Sequence, residues 1–342
     1  MQLSEGHRLP NAAKVRRSTY TPTTVPKMDF LWLELTNRCN LTCVHCYTES
    51  HPHSGGSDVL TAKNYEDLMR QAYDLGCRKL QFIGGEPQIN RDFYSLLVTS
   101  KAIGFPFVEV FTNLTRLDEK TLTFAVANNV CFATSVYSDN AATHDAITQT
   151  GGSHARTVGN LKRLIDRGIS TRAGVVVMER NAAEIKSTKA YLEGLGVGSV
   201  RASRIREFGR AEDELGKAPQ LSSLCGRCWE GKLSIAPDGE AYPCVMARHW
   251  SVGNVLENSL AEIVNARRLE ETRTTIYDAA FLPRISTQNC DPNVPPDPCD
   301  PGPEKEIERD CPQTECVPPS CLMDCEPDCA QSCEPNPTVE AP

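Results

Sequence analysis

The sequence predicts an α/β protein: a largely parallel sheet with helices between its strands, followed by a small cysteine-rich C-terminal region. Three observations predict it. Between residues 30 and 206, short apolar runs rich in Val, Ile, Phe and Thr alternate about six times with longer amphipathic stretches. Those runs are nearly continuous, as strands buried on both faces should be. From Arg284 onward the composition changes. The stretch 284–342 holds 13 of the 23 prolines, 8 of the 16 cysteines, and 13 acidic against 3 basic residues.

Strands are expected over 30–35, 79–83, 107–111, 130–136, 171–178 and 199–203, and helices over 61–75, 92–103, 118–128, 155–167 and 182–195. Tyr65, Leu68, Met69, Ala72 and Leu75 fall at helical spacing, and Gly76 stands where a left-handed cap belongs. Gly104, Gly168 and Gly196 mark three further helix ends. Repeated strand–helix–strand units with right-handed crossovers give an open doubly wound sheet or a partial barrel. Both gather ligands at the carboxyl ends of their strands. The expected organisation is a flexible segment over 1–27, an α/β domain over 28–215, a small domain over 216–283, and an acidic Cys/Pro-rich tail over 284–342 that ends disordered.

Composition excludes several classes. No stretch reaches the ~18 apolar residues of a membrane span. The basic, polar stretch ahead of Phe30 lacks the apolar core of a secretory signal. Sixteen cysteines in 342 residues, clustered at 39–46, 225–244 and 290–333, then read as metal-binding in a cytoplasmic protein. The net charge of −8 lies in the tail, so nothing suggests nucleic-acid binding. Dinucleotide and P-loop glycine fingerprints are absent.

The chemistry starts at Cys39-Asn40-Leu41-Thr42-Cys43-Val44-His45-Cys46, directly after the first strand. Three thiolates in the spacing C-x3-C-x2-C can hold three irons of a [4Fe–4S] cube and leave the fourth open. Zinc completed by a distant ligand is the alternative, although zinc sites usually show paired C-x2-C units. The second strand ends in Gly84-Gly85-Glu86-Pro87, on the same face. Two glycines allow close approach to a ligand and positive φ, and Glu86 sets a carboxylate beside them.

Cys225 and Cys228 form a C-x2-C unit ahead of two short strands joined by Pro237-Asp238-Gly239-Glu240, a hairpin signal that would carry Cys244 back toward the pair. A zinc ribbon shares this design. In the tail, Cys290, Cys299, Cys311, Cys316, Cys325 and Cys333 each have Pro one or two positions on. Proline excludes helix and ladder, so order there would come from cysteines binding metal. Cys77 and Cys131 read as packing residues. Arg172, Arg201, Arg204 and Arg206 read as surface charge.

The cysteine loop and the Gly-Gly-Glu-Pro turn resemble the radical S-adenosylmethionine (SAM) superfamily over about residues 28–206, with family-like stretches at Thr112-Asn113, Ser135 and Asn181. The resemblance implies a partial (β/α)6 TIM-type barrel. It implies that Cys39, Cys43 and Cys46 bind a [4Fe–4S] cluster whose open iron chelates SAM, and that Gly84, Gly85, Glu86, Pro87, Asn113 and Ser135 surround SAM. One-electron cleavage would then release a 5′-deoxyadenosyl radical that abstracts hydrogen from substrate. His45 would pack by the adenine or simply line the loop. Cys228-x10-Gly239-x4-Cys244, with Gly253-Asn254-Val255 and a helical stretch over 259–273, resembles the SPASM extension of peptide-modifying members. That implies one or two auxiliary [4Fe–4S] clusters, ligated by Cys225, Cys228 and Cys244 together with tail residues among Cys311, Cys316, Cys321, Cys325, Cys329 and Cys333. Here the spacing departs from the family pattern.

The function so implied is radical modification of a ribosomally made peptide by crosslinking, oxidation or epimerisation, with a flavodoxin or ferredoxin as electron donor. A leader-recognition domain would be a separate chain, since the segment ahead of Phe30 is too short to form one. A small-molecule radical SAM dehydrogenase and a non-enzymatic iron–sulfur or zinc scaffold are the alternatives. The catalytic acid or base is not identified by the sequence.

Overall fold

The computed structural model describes residues 28–283. The expectations for 1–27 and for 284–342, including Cys311, Cys316, Cys321, Cys325, Cys329 and Cys333, lie outside the described residues.

Strands β1 (Phe30–Glu34), β2 (Lys79–Ile83), β3 (Phe107–Phe111), β4 (Cys131–Ser135), β5 (Thr171–Val177) and β6 (Ser199–Arg204) lie side by side in chain order, all parallel. The order decides between the two architectures. A doubly wound sheet reverses direction at a switch point and carries helices on both faces. A sheet that adds every strand on one side keeps its right-handed crossovers on one face. The winding is therefore that of a partial barrel.

Between these strands run α1 (Ala62–Asp74), α2 (Phe93–Ile103), α3 (Glu119–Asn128), α4 (Ala141–Thr148), α5 (Ser153–Asp166) and α6 (Ile185–Gly194). Thr61 caps α1 in a reciprocal box with Asn64, and Gly76 follows the helix at φ +94°. Leu31, Leu33, Leu80, Phe82, Val108 and Val110 are buried in one core with Tyr65, Met69 and Leu96 of the helices. Each such side chain contributes about 1.5–3 kcal/mol on burial.

The opposite face differs from the continuous apolar runs expected. The alternate residues there include Glu34, Gln81, Glu109 and Arg172 beside Phe30, Phe107 and Cys131. The Glu109 carboxylate is fully buried and clasped by Arg172, with Nε to Oε1 at 2.8 Å and Nη2 to Oε2 at 2.7 Å, while the Gln81 amide also donates to it. Arg172 is thus part of an ion pair inside the barrel rather than surface charge. This face therefore mixes buried charge with aromatic side chains among the described residues.

Helix α4 was not expected. Its Asp145 caps α5, accepting from the Gly152 amide, the Ser153 hydroxyl at 2.7 Å and the His154 amide at 2.8 Å. Partial burial opposes ionisation, but these donors outweigh it and hold the Asp145 pKa below its ordinary value. A depressed carboxylate stabilises the fold above its unfolded pKa, near 4, and loses that contribution as pH falls through the lower folded value. Asp145→Ala is expected to cost about 1–2 kcal/mol at neutral pH. The deficit against wild type should shrink below about pH 4, as read by urea unfolding across pH.

After α7 (Arg210–Leu215) the chain returns to the first strand. β7 (Lys232–Ile235) pairs parallel with β1 on the side away from β2, and β8 (Glu240–Tyr242) and β9 (Gly253–Asn254) extend the sheet antiparallel. The hairpin turn closes with the Gly239 amide on the Ala236 carbonyl at 3.0 Å and Gly239 at φ +89°. The single helix expected over 259–273 is two, α8 (Leu260–Asn265) and α9 (Arg267–Ile276), broken where Ala266 is extended. The break re-phases the apolar face: Leu260, Ile263 and Leu269 join the main core, and Ile276 joins a second one around Cys228 and Cys244. Among the described residues no helix is long and apolar enough to cross a membrane.

Candidate functional site

The three-cysteine loop leaves the carboxyl end of β1 and is held from every side. The Cys39 amide donates to the His51 carbonyl at 3.2 Å, and the amides of Thr42 and Val44 donate to carbonyls of Thr148 and Ile147 on α4. From the far end of the barrel, the Arg210 guanidinium donates to the carbonyls of Cys43 and Ser50, each at 2.8 Å. Gly209 is required there. It has φ +57°, and a Cβ would stand 2.5 Å from the Cys46 carbonyl oxygen.

The Gly84-Gly85 turn packs closely against the start of this loop. A Cβ on Gly84 would lie 2.6 Å from the Thr36 carbonyl oxygen, and one on Gly85 2.2 Å from that of Arg38. The Gly85 and Glu86 amides donate to those same two carbonyls at 2.8 Å. Pro87 then opens a short helical turn.

Glu86, 2% exposed, takes three donors: the Gln88 amide at 3.0 Å, the Thr112 hydroxyl at 2.7 Å and the Asn113 amide at 2.8 Å. Burial raises its pKa, and these hydrogen bonds oppose the rise. The Gln88 side-chain amide adds a fourth contact, so the carboxylate is close to fully satisfied. Asn113 carries the connection onward, its side-chain amide donating to Asn40 at 2.9 Å and to the Cys39 sulfur at 3.7 Å. Ser135, at the end of β4, hydrogen-bonds Tyr137, whose hydroxyl also meets Cys43. Asn181 is a staple, tying the Tyr137 and Val176 carbonyls to the Met178 amide.

Each loop sulfur therefore has a polar neighbour. Cys39 accepts from the Leu41 amide at 3.4 Å and from Asn113, Cys43 from Tyr137, and Cys46 lies 3.3 Å from the Thr48 hydroxyl. Donors around sulfur are what metal-bound thiolates require, so these residues fit an iron–sulfur cluster. Burial, followed by the Leu41 contact that opposes it, leaves the Cys39 thiol pushed up to about 12; burial and its cysteine neighbours push Cys43 up as well. Loading must displace protons. His45 packs edge-on to Tyr137 at 4.8 Å, and burial followed by the charge of Arg210 lowers its pKa to about 4. Its buried Nδ1 has no partner among the described residues.

The hairpin returns Cys244 to Cys228, their sulfurs 3.1 Å apart, with Cys225 in hydrogen-bonding reach of Cys228. Gly226, at φ +84°, lets the backbone of Phe281 come within 2.5 Å of where a Cβ would stand, and Trp229 packs on Tyr277 and Phe281. Arg273 lies near Cys228 and feels its charge. Buried cations beside thiolates suit an anionic cluster. Among the described residues no three His, Cys, Asp or Glu side chains converge as one metal ion would draw them.

β1 links the segments that carry the two cysteine groups. Glu34, 0% exposed, binds Arg248 at 2.6 Å and the Ser234 hydroxyl of β7 at 3.1 Å. Burial raises the Glu34 pKa and Arg248 opposes that rise. Sequence reasoning missed Glu34, Tyr137, Arg210 and Arg248. Their partners lie up to 214 positions away, and only the spacing of Tyr137 two residues past Ser135 offered a signal.

Residues 33–192 match the model of the radical SAM superfamily, and residues 225–291 match that of SPASM, an iron–sulfur cluster-binding domain. The chain is 27% identical over 291 residues to the antilisterial bacteriocin subtilosin biosynthesis protein AlbA of Bacillus subtilis, covering 73% of this chain and 64% of AlbA. It is 24% identical to the sporulation killing factor maturation protein SkfB of the same organism (77% and 70% covered), and 26% identical to the mycofactocin maturase MftC of Mycobacterium tuberculosis (66% and 67%). The fold is shared with Streptococcus suis SuiB bound to S-adenosylmethionine, at a TM-score of 0.59 and 15% identity over 72% of this chain and 68% of that one. It is also shared with anSMEcpe bound to AdoMet and a peptide, at 0.57 and 15% over 72% and 83%.

Proposed function

Because this chain belongs to the radical SAM superfamily and carries a SPASM domain, we propose that it is a cytoplasmic peptide maturase that modifies a ribosomally made peptide by hydrogen abstraction. The observation that carries this reading is the loop of three cysteines, each with its own donor, at the carboxyl end of β1. The names of AlbA, SkfB and MftC and the structure of SuiB with its precursor peptide SuiA support a peptide substrate.

Cys39, Cys43 and Cys46 would hold the first cluster, which when bound with SAM would supply the radical chemistry that takes hydrogen from the substrate. Asn113 and Tyr137 orient the thiolates by donating to their sulfurs. Glu86 fixes Asn113 and would border the place that SAM's amino group takes. Arg210 and the α4 carbonyls hold the loop's backbone in place. Ser135, with the neighbouring Gly174 and Val176 of β5, borders the concave face that admits substrate. Cys225, Cys228 and Cys244 would hold an auxiliary cluster, and the SPASM match, which runs on through Cys290, supports a further ligand from beyond them in sequence. A flavodoxin or ferredoxin supplies the electron, and a separate protein presents the peptide's leader.

Anaerobic loading with iron and sulfide, followed by SAM and a strong reductant, is expected to yield 5′-deoxyadenosine. Addition of the peptide encoded beside this gene should give a product altered in mass. Zinc in place of iron, or no SAM cleavage, overturns the reading.

A further inference from the structure

Tyr47 directly follows Cys46, so its backbone belongs to the first cysteine loop. Its ring packs instead against the second core, with Phe208, Leu224, Cys228, Cys244 and Ala247. The hydroxyl oxygen is buried and has no hydrogen-bond partner among the described residues. Four charged or ionisable groups face it: Glu34, Arg248, Cys46 and Cys244.

Three of the four are already engaged by other donors or offer no acceptor. The Glu34 carboxylate is engaged by Arg248 and Ser234. Arg248 has only donors to offer. Cys46 is paired with the Thr48 hydroxyl, itself fixed by Ser50 at 2.7 Å. Cys244 is left. Its sulfur now accepts from the Cys228 thiol at 3.1 Å, and that contact vanishes when metal binding deprotonates both thiols.

We propose that in the iron-loaded protein the Tyr47 hydroxyl donates a hydrogen bond to the Cys244 sulfur, which makes this residue of the first loop a positioning residue of the auxiliary cluster. The inference rests on the reading of Cys225, Cys228 and Cys244 as ligands of that cluster. Hydrogen bonds to cluster sulfurs are among the features that set reduction potential, and a donor stabilises the more negative reduced state. Tyr47 therefore raises the auxiliary potential. Arg248, four residues beyond Cys244, adds a cation whose effect is moderated by Glu34.

The test is a redox titration of the full loaded chain followed by electron paramagnetic resonance. The first cluster's signal is recognised by its response to SAM, and the auxiliary signal by its persistence when Cys39, Cys43 and Cys46 are all Ala. Tyr47→Phe is expected to lower the auxiliary midpoint potential. Tyr65→Phe removes another buried hydroxyl, one that donates to the Glu34 carbonyl at 2.8 Å, and is expected to leave the potential unmoved. In the unmutated protein, exchange into D2O should reveal an exchangeable proton coupled to the auxiliary signal, which covers the case in which Tyr47→Phe does not fold. An auxiliary cluster whose potential ignores Tyr47→Phe, an equal shift in Tyr65→Phe, or no coupled proton overturns the proposal alone. A chain that takes up no auxiliary iron overturns the cluster reading and the proposal with it.

Discussion

Replacing Cys39, Cys43 and Cys46 together by Ala is expected to abolish SAM cleavage and to remove about four irons per chain while leaving the auxiliary iron in place. The separation follows from the layout. The first set lies on the loop after β1, held by α4, Arg210 and Asn113; the second lies between β8 and the turn that packs on Phe281. Among the described residues neither set contributes a thiol to the other. The loop's backbone contacts to Thr148, Ile147 and His51 do not involve sulfur, so the variant should remain folded. Iron and sulfide analysis with a 5′-deoxyadenosine assay reads both halves of the prediction. Loss of all iron would mean that the two centres assemble as one unit.

Glu86→Ala should be the most damaging single substitution near the first centre. It strands the Gln88 amide, the Thr112 hydroxyl and the Asn113 amide. A buried donor left without an acceptor costs about 1–3 kcal/mol, so a loss of about 3 kcal/mol or more is expected in urea unfolding. Glu86→Gln keeps one acceptor oxygen and should lose less. Because Asn113 is fixed by Glu86 and donates to Cys39, iron uptake should fall at the first centre and not at the auxiliary one. Equal loss from both would make Glu86 a residue of general stability only.

Much of this was legible in the sequence because it is local. Strands β1 to β6 show as short runs of strand-forming residues, and β2, β3, β5 and β6 have a glycine within three positions. The cysteine loop is contiguous, and the 237–240 turn is complete within one tetrapeptide. Helix α4 was hidden because Ser138-Asp139-Asn140 reads as a turn and the short helix that follows ends where Gln149 turns left-handed. The break at Ala266 was hidden because Ala is the best helix former, and tertiary packing overrode it. The glycines of the 84–85 turn were recognised, but their neighbour was not: which backbone comes within 2.2 Å of a missing Cβ depends on the register of β1 against β2. Glu34 with Arg248, and Glu109 with Arg172, depend on strands meeting across the sheet, which a single sequence does not encode as spacing. The polar concave face was lost for the same reason. The few inward residues on each short strand do not break an apolar run.

The pairing of β7 with β1 has a consequence for how the chain acquires its shape. β1 ends at Glu34, yet the edge it turns away from β2 is closed only by Lys232–Ile235. Contacts so distant in sequence are slow to form, and an unpaired strand edge invites association with other chains. During synthesis the half that carries the first cysteine loop must wait, with β1 open on one side, until β7 has emerged. A chain cut short at the apparent boundary near Leu215 would keep all six barrel strands and still leave that edge bare. Only a chain that runs on through Lys232–Ile235 supplies the strand that pairs there.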